Sequence, residues 1–166
     1  MPEPDEIVIN TGPLIALAAA MGNLDTLRMY RRVWVPLAVS QEIRAGGPSG
    51  FAVTEFETAS WLYKDLEPLR VDPLLANSLD PGEAAVIQLA LDKKVATVCI
   101  DESIGRRLAR LSGLAVTGSV GILLRAKREG FQFSMQDAIA RMRQRGIWLS
   151  EGVVVFALTQ AGEASA

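Results

Sequence analysis

The run Val95-Ala96-Thr97-Val98-Cys99-Ile100 constrains the fold more than any other stretch of this 166-residue chain. It is short, apolar and rich in β-branched residues, follows Lys93-Lys94, and ends in the adjacent carboxylates of Asp101 and Glu102. A strand with one wet face would alternate polar and apolar residues; this one does not, so it is expected to lie buried in a parallel sheet. In open sheets of that kind ligands sit beyond the carboxyl ends of the strands. Asp101 is therefore placed either at the mouth of a functional cleft or as the cap of a helix starting near Ser103, and the run alone leaves both open.

The rest of the chain alternates strand and helix signals. Glu6-Ile7-Val8-Ile9-Asn10 reads as a first buried strand, and Thr11-Gly12-Pro13 as the turn into a helix over 14–20, which puts Asn10 at a strand end as well. A short helix over 24–30, a strand Val33-Trp34-Val35 closed by Pro36 and a helix over 37–44 follow. Glu42 lies in the last turn of that helix, before the breaker run Ala45-Gly46-Gly47-Pro48-Ser49-Gly50. Helices are expected over 51–60 and 73–79, with an edge strand at Trp61-Leu62-Tyr63. Asp80-Pro81-Gly82-Glu83 opens a further helix running to about residue 92. Pro81 takes its first position, and Asp80 and Glu83 have capping-box spacing, so Glu83 serves either as a cap or as a ligand.

Beyond the central strand comes a basic helix over 105–111 carrying Arg106, Arg107 and Arg110, then a strand Leu114-Ala115-Val116-Thr117. Gly118-Ser119-Val120-Gly121 lacks the Gly-Lys-Ser/Thr ending of a phosphate loop and reads as a tight turn into a helix over 122–128. Helices over 135–145 and 151–160, with an extended piece Ile147-Trp148-Leu149 between them, complete the chain. Strands separated by helices imply one parallel sheet covered on both faces.

The chain contains no histidine. That excludes Ser-His-Asp and Cys-His nucleophile pairs, imidazole acid–base pairs and His-ligated zinc within it. For a hydrolase the natural remaining route is carboxylates with a hard metal ion. The one cysteine, Cys99, is expected to be a buried apolar filler rather than a disulfide partner. No apolar run reaches the ~20 residues of a membrane-spanning helix, and no secretory leader is evident, so the expected location is the cytoplasm.

The net charge of −2 hides an asymmetry: residues 1–102 hold 8 Lys+Arg and 15 Asp+Glu, residues 103–166 hold 9 and 4. An acidic site beside a basic approach surface suits a metal-dependent enzyme acting on a polyanion, although ordinary solvated helix faces give the same pattern. Asn10, Glu42, Glu83 and Asp101 are the polar positions able to border one cleft, two at strand ends and two on helices. Carboxylates ~4 Å apart repel by about 4 kcal/mol at an effective dielectric of 20, so a cation belongs among them. Oxygen-only ligands favour Mg²⁺ or Mn²⁺.

These residues carry a resemblance. Ile7 to Leu17 with Asn10-Thr11-Gly12-Pro13, Pro36 with Glu42, Pro81-Gly82-Glu83-Ala84, Ile100-Asp101-Glu102 with Arg106-Arg107, and Thr117-Gly118-Ser119-Val120-Gly121 with Arg125-Ala126-Lys127 resemble, in order and spacing, a PIN-domain nuclease. The similarity is greatest to the prokaryotic branch that includes toxins of toxin–antitoxin pairs. It implies a three-layer α/β/α fold with a central, mainly parallel sheet; the chain's length leads to the expectation of a single domain over residues 1–160, with 161–166 as a flexible tail. It also implies metal-dependent cleavage of RNA. The family's acidic quartet falls on Asn10, Glu42, Glu83 and Asp101, with Asn10, Glu83, Asp101 and Glu102 as ligands of Mg²⁺ or Mn²⁺. Thr11 and Ser103 would hold the carboxylates through their hydroxyls, and Arg106, Arg107 and Arg110 would contact the RNA backbone. Self-association into a homodimer or higher oligomer and an antitoxin protein as partner are implied as well. One position departs from the pattern: the family usually has aspartate where this chain has Asn10. An amide oxygen binds a hard cation without contributing charge. The alternative is thus a weak or inactive PIN-like module that binds RNA or protein through the same cleft.

Overall fold

The computed structural model describes residues 5–46 and 50–163. Five short strands, β1 (Glu6–Ile9), β2 (Arg32–Val35), β3 (Tyr63–Lys64), β4 (Thr97–Cys99) and β5 (Ala115–Thr117), form one all-parallel sheet in the order β3-β2-β1-β4-β5. Val8 lies opposite Trp34 on one side and Val98 on the other, and Cys99 opposite Thr117. Ile7, Val8, Ile9, Val98, Cys99 and Ile100 are wholly buried, as strands covered on both faces must be.

The covering layers come from α1 (Thr11–Met21), α2 (Leu37–Gly46), α3 (Val53–Thr58), α4 (Pro73–Ser78), α5 (Pro81–Lys93), α6 (Ser103–Leu111), α7 (Ser119–Arg128), α8 (Met135–Gln144) and α9 (Glu151–Gln160). Helix α1 packs on α7 and α8, while α5 packs on β1 and β4 and against α2, α4 and α6. Both α1 and α5 are buried over most of their length, which their nearly all-round apolar composition requires. The three-layer α/β/α arrangement is the one the sequence led us to expect.

Several helix starts are set locally. Asp72 and Asp80 accept from Leu74 N and Glu83 N at 2.8 Å each, with Pro73 and Pro81 as first helical residues. Ser134 and Ser150 cap α8 and α9 in the same way. Each such cap contributes about 1 kcal/mol.

Some boundaries differ from expectation. Helix α1 begins at Thr11, so Pro13 sits in its first turn, where the missing N–H has no intrahelical partner to lose. The stretch over 24–30 is a 3-10 helix, Asp25–Met29. The central strand is only Thr97–Cys99, because Lys94 takes a left-handed conformation (φ 58°) and Val95 N bonds back to Ala90 O as part of the α5 terminus. Helix α7 starts at Ser119, inside the run read as a turn, and residues 147–149 join no strand. Of the breaker run after α2, residues 47–49 lie outside the described residues.

The segment after α9 is held at Glu163. Glu163 accepts from Lys127 Nζ at 2.7 Å, Met135 N at 2.7 Å, Gln136 N at 3.1 Å and Ser134 Oγ at 3.3 Å. It thereby joins α7 to the start of α8; residues 164–166 lie outside the described residues.

The strand order decides where a site can form. From β1 the chain moves outward through β2 and β3, then returns to lay β4 on the other side of β1. The connections diverge between β1 and β4, and the crevice of such a sheet opens beyond the strand ends at that point.

Candidate functional site

Asn10 and Ile100 leave the sheet side by side at that divergence, with Asn10 N donating to Cys99 O at 3.1 Å. Asn10 occupies the N-cap position of α1, yet its side chain makes no capping bond. It is 7% exposed, and its Oδ1 is buried with no hydrogen-bond partner among the described residues. Buried polar atoms of this kind usually find partners, and each one left without costs about 1–3 kcal/mol.

The orphaned oxygen faces Gly82, the second residue of α5. A Cβ built on Gly82 would lie 2.8 Å from Glu42 Oε2, 3.2 Å from Asn10 Oδ1 and 3.5 Å from Asp80 Oδ1. Three oxygens, from the residue after β1, from α2 and from the α5 cap, therefore crowd one point, and a side chain there would have to displace the Glu42 carboxylate. Glu83, 7% exposed, turns toward α6, where a Cβ on Gly105 would come within 2.9 Å of its Oε2 and 3.0 Å of Ile100 Cγ2. Two glycines on two helices thus make space for the carboxylates to approach the sheet end.

The charges feel one another. Burial pushes the Glu83 carboxyl up to about 7, and the Asp80 carboxyl hydrogen-bonded to it and the charges of Asp80, Glu102 and Glu42 add to the rise. Glu42 is raised as well, by desolvation first and then by Asp80, with the Thr11 hydroxyl opposing. Among the described residues no ion pair involves Glu42, Asp80 or Glu83.

The open choice at Glu83 resolves halfway. Asp80 caps Glu83 N, but the Glu83 side chain faces the cleft and the Asp80 carboxyl rather than closing a capping box. Asp101 likewise fits neither alternative fully. The N-cap residue of α6 is Glu102, without a side-chain bond. Asp101 Oδ1 instead accepts from Ser119 N at 2.8 Å, capping α7 from across the sheet end. Asn10, Glu42 and Glu83 are brought together around α5, with Glu102 close enough to act on Glu83. Asp101 stands on the α7 side of the same crevice.

Of the supporting residues, Thr11 lies beside Glu42, whereas Ser103 is exposed at the start of α6 and, among the described residues, bonds to none of the acids. Arg106 is not a free surface cation: its Nη1 donates to Ile100 O at 2.8 Å. Arg107 and Arg110 are exposed on α6. The residue that sequence reasoning passed over is Asp80, whose local capping role masked its place opposite Glu42. A buried glycine in the first turn of a helix was the available signal, since alanine is the better helix former there.

Among the described residues no three Asp, Glu or Cys side chains are grouped closely enough to hold a metal ion. The convergence at Gly82 is of two carboxylates and one amide. Such a set fits Mg²⁺, which keeps several waters and takes one or two carboxylates from the protein; an unpaired buried amide oxygen is a donor of the right hardness. Next to this crevice, an apolar cavity of about 300 Å³ lies between α2, α4 and α5, lined by Leu37, Gln41, Leu69, Leu79 and Ala84 among others, with no charged group.

Residues 6–163 match a family model described as PIN domain. No curated protein matches the chain.

Proposed function

The chain belongs to the PIN-domain family, and on that premise we propose that it is a Mg²⁺- or Mn²⁺-dependent endoribonuclease. The observation that carries this reading is the buried, unpaired Asn10 Oδ1 set against the Glu42 and Asp80 carboxylates around Gly82. Asn10, Glu42 and Glu83 would hold the ion, with Glu102 and the second oxygen of Asp101 in reach of it or of its waters. When bound, the metal would lower the pKa of a water, orient the phosphodiester and offset charge on the leaving oxygen.

The protein's own groups do the rest. Glu83, buried beside the Asp80 carboxyl, has its own pKa pushed up to about 7 at the cleft wall. Ser119 N fixes Asp101 at 2.8 Å, so this carboxylate meets the site in one orientation. Arg106, pinned to Ile100 O, keeps its guanidinium beside Gly118, and Arg107 and Arg110 extend the positive face along which an RNA backbone would run.

The test is hydrolysis of labelled RNA with Mg²⁺, with Mn²⁺ and with chelator. Cleavage is expected only with metal and should fall at least ~100-fold in Glu83→Gln and Glu42→Gln. Cleavage that survives chelation, or both substitutions, defeats the proposal.

Asn10 supports a second reading, a module that binds RNA without cutting it, because a neutral ligand weakens the metal site. RNA retention without cleavage, with cleavage appearing in Asn10→Asp, would favour it. A role as the toxin of a toxin–antitoxin pair rests on the resemblance of the motifs, and growth arrest on expression, relieved by a co-expressed partner, tests it. Self-association would bury the side chains exposed around α9, where Trp148 is 82% and Phe156 54% exposed; light scattering gives the oligomeric state. No helix among the described residues is long and apolar enough to cross a membrane, and the proposed location is the cytoplasm.

A further inference from the structure

Resting on the reading of this crevice as a divalent-cation site, we propose that Asp80 belongs to that site and supplies the negative charge that Asn10 withholds. Asp80 stands outside the quartet of positions read from the sequence, and its capping bond to Glu83 N accounts for one oxygen, Oδ1. Capping needs no charge: asparagine and serine serve equally well. The capping oxygen also lies 3.5 Å from the point at Gly82 that Glu42 Oε2 and Asn10 Oδ1 approach at 2.8 and 3.2 Å, so a charge on it is placed beside both. No lysine or arginine pairs with Asp80 among the described residues.

Independent of the carboxylates, the amide oxygen of Asn10 is buried, unpaired and aimed at the same point. It needs a cationic or hydrogen-donating partner that the described residues do not provide. One ion set between the three groups satisfies all of them, and its charge is balanced by Glu42 and Asp80 instead of by the residue at position 10. A charge absent from the end of β1 is thus restored from the first turn of α5.

The test separates the cap from the charge. Asp80→Asn and Asp80→Ser keep the cap, and binding of Mn²⁺ is followed by electron paramagnetic resonance of the free ion, with Mg²⁺ as competitor. Both variants should bind Mn²⁺ about tenfold more weakly than the parent protein, with an unchanged or higher melting temperature in chelator. Asn10→Asp should bind more tightly, and the Asn10→Asp, Asp80→Asn double variant, with the charge moved across the site, should return close to the parent value. Binding by Asp80→Asn and Asp80→Ser within twofold of the parent, while Glu42→Gln loses it, overturns the assignment of Asp80 alone. No Mn²⁺ binding by the parent protein overturns this assignment and the metal-dependent reading together.

Discussion

Replacing Glu163 with glutamine should cost about 2 kcal/mol of stability at neutral pH, and that cost should vanish in acid. Burial alone would raise the pKa of this carboxyl; the Lys127 ammonium and the N–H groups of Met135 and Gln136 overcome that and hold it at about 2. The ordinary value for a glutamate is about 4.3, and each unit of difference corresponds to about 1.4 kcal/mol. The full gap gives about 3 kcal/mol, and a side chain still 21% exposed loses part of that to solvent screening. The sign follows from proton uptake. Between pH 4 and 2 the unfolded chain binds the proton that the folded one refuses, so stability is complete above the unfolded pKa and drains away as pH falls toward 2. Urea unfolding followed by circular dichroism at pH 7, 5, 4 and 3 should show the parent and Glu163→Gln converging as pH drops. Equal midpoints at pH 7, or a gap that does not change with pH, would refute the assignment of the clamp to an ionised carboxylate.

Other substitutions test the crevice. Gly82→Ala places a methyl 2.8 Å from Glu42 Oε2 and 3.2 Å from Asn10 Oδ1. The flexible Glu42 side chain yields, so the melting temperature should move by only a few degrees while Mn²⁺ affinity falls at least several-fold in the same titration. Gly118→Ala would sit 2.6 Å from Asp101 Oδ1 and break its bond to Ser119 N. A charge-assisted bond of this kind contributes about 1.5–3 kcal/mol, to be read as a lower urea midpoint together with lost RNA cleavage. Asn10→Asp adds a further carboxylate to groups already repelling one another. It should lower the melting temperature in chelator and raise it in millimolar Mg²⁺, by calorimetry, which is the opposite of what a position outside the site would do.

The fold was legible because its signals are local. Ile7-Val8-Ile9 and Thr97-Val98-Cys99 are β-branched runs with no polar alternation, and the helices between them carry their own starts, as at Asp80-Pro81. What was hidden depended on residues distant in the chain. Helix α7 begins early because Asp101 caps Ser119 from 18 residues away. The bonds of Glu163 could not be read locally because its partners lie 27–36 residues earlier. Within the site, Asn10 and Glu83 were visible as a strand end and a helix start, but Asp80 explained itself fully as a cap until the fold set it facing Glu42.

The position of β1 at the centre of the sheet has a consequence during synthesis. Its neighbour β2 is made almost at once, but β4, which closes the other side, leaves the ribosome only after about ninety more residues have been joined, with Ser119 following later still. Domains fold as units once their chain is available. A nascent chain halted before this point therefore carries Asn10, Glu42 and Asp80 without the β4 segment that presents Asp101, and the crevice at the sheet end comes into being only once β4 has been laid beside β1.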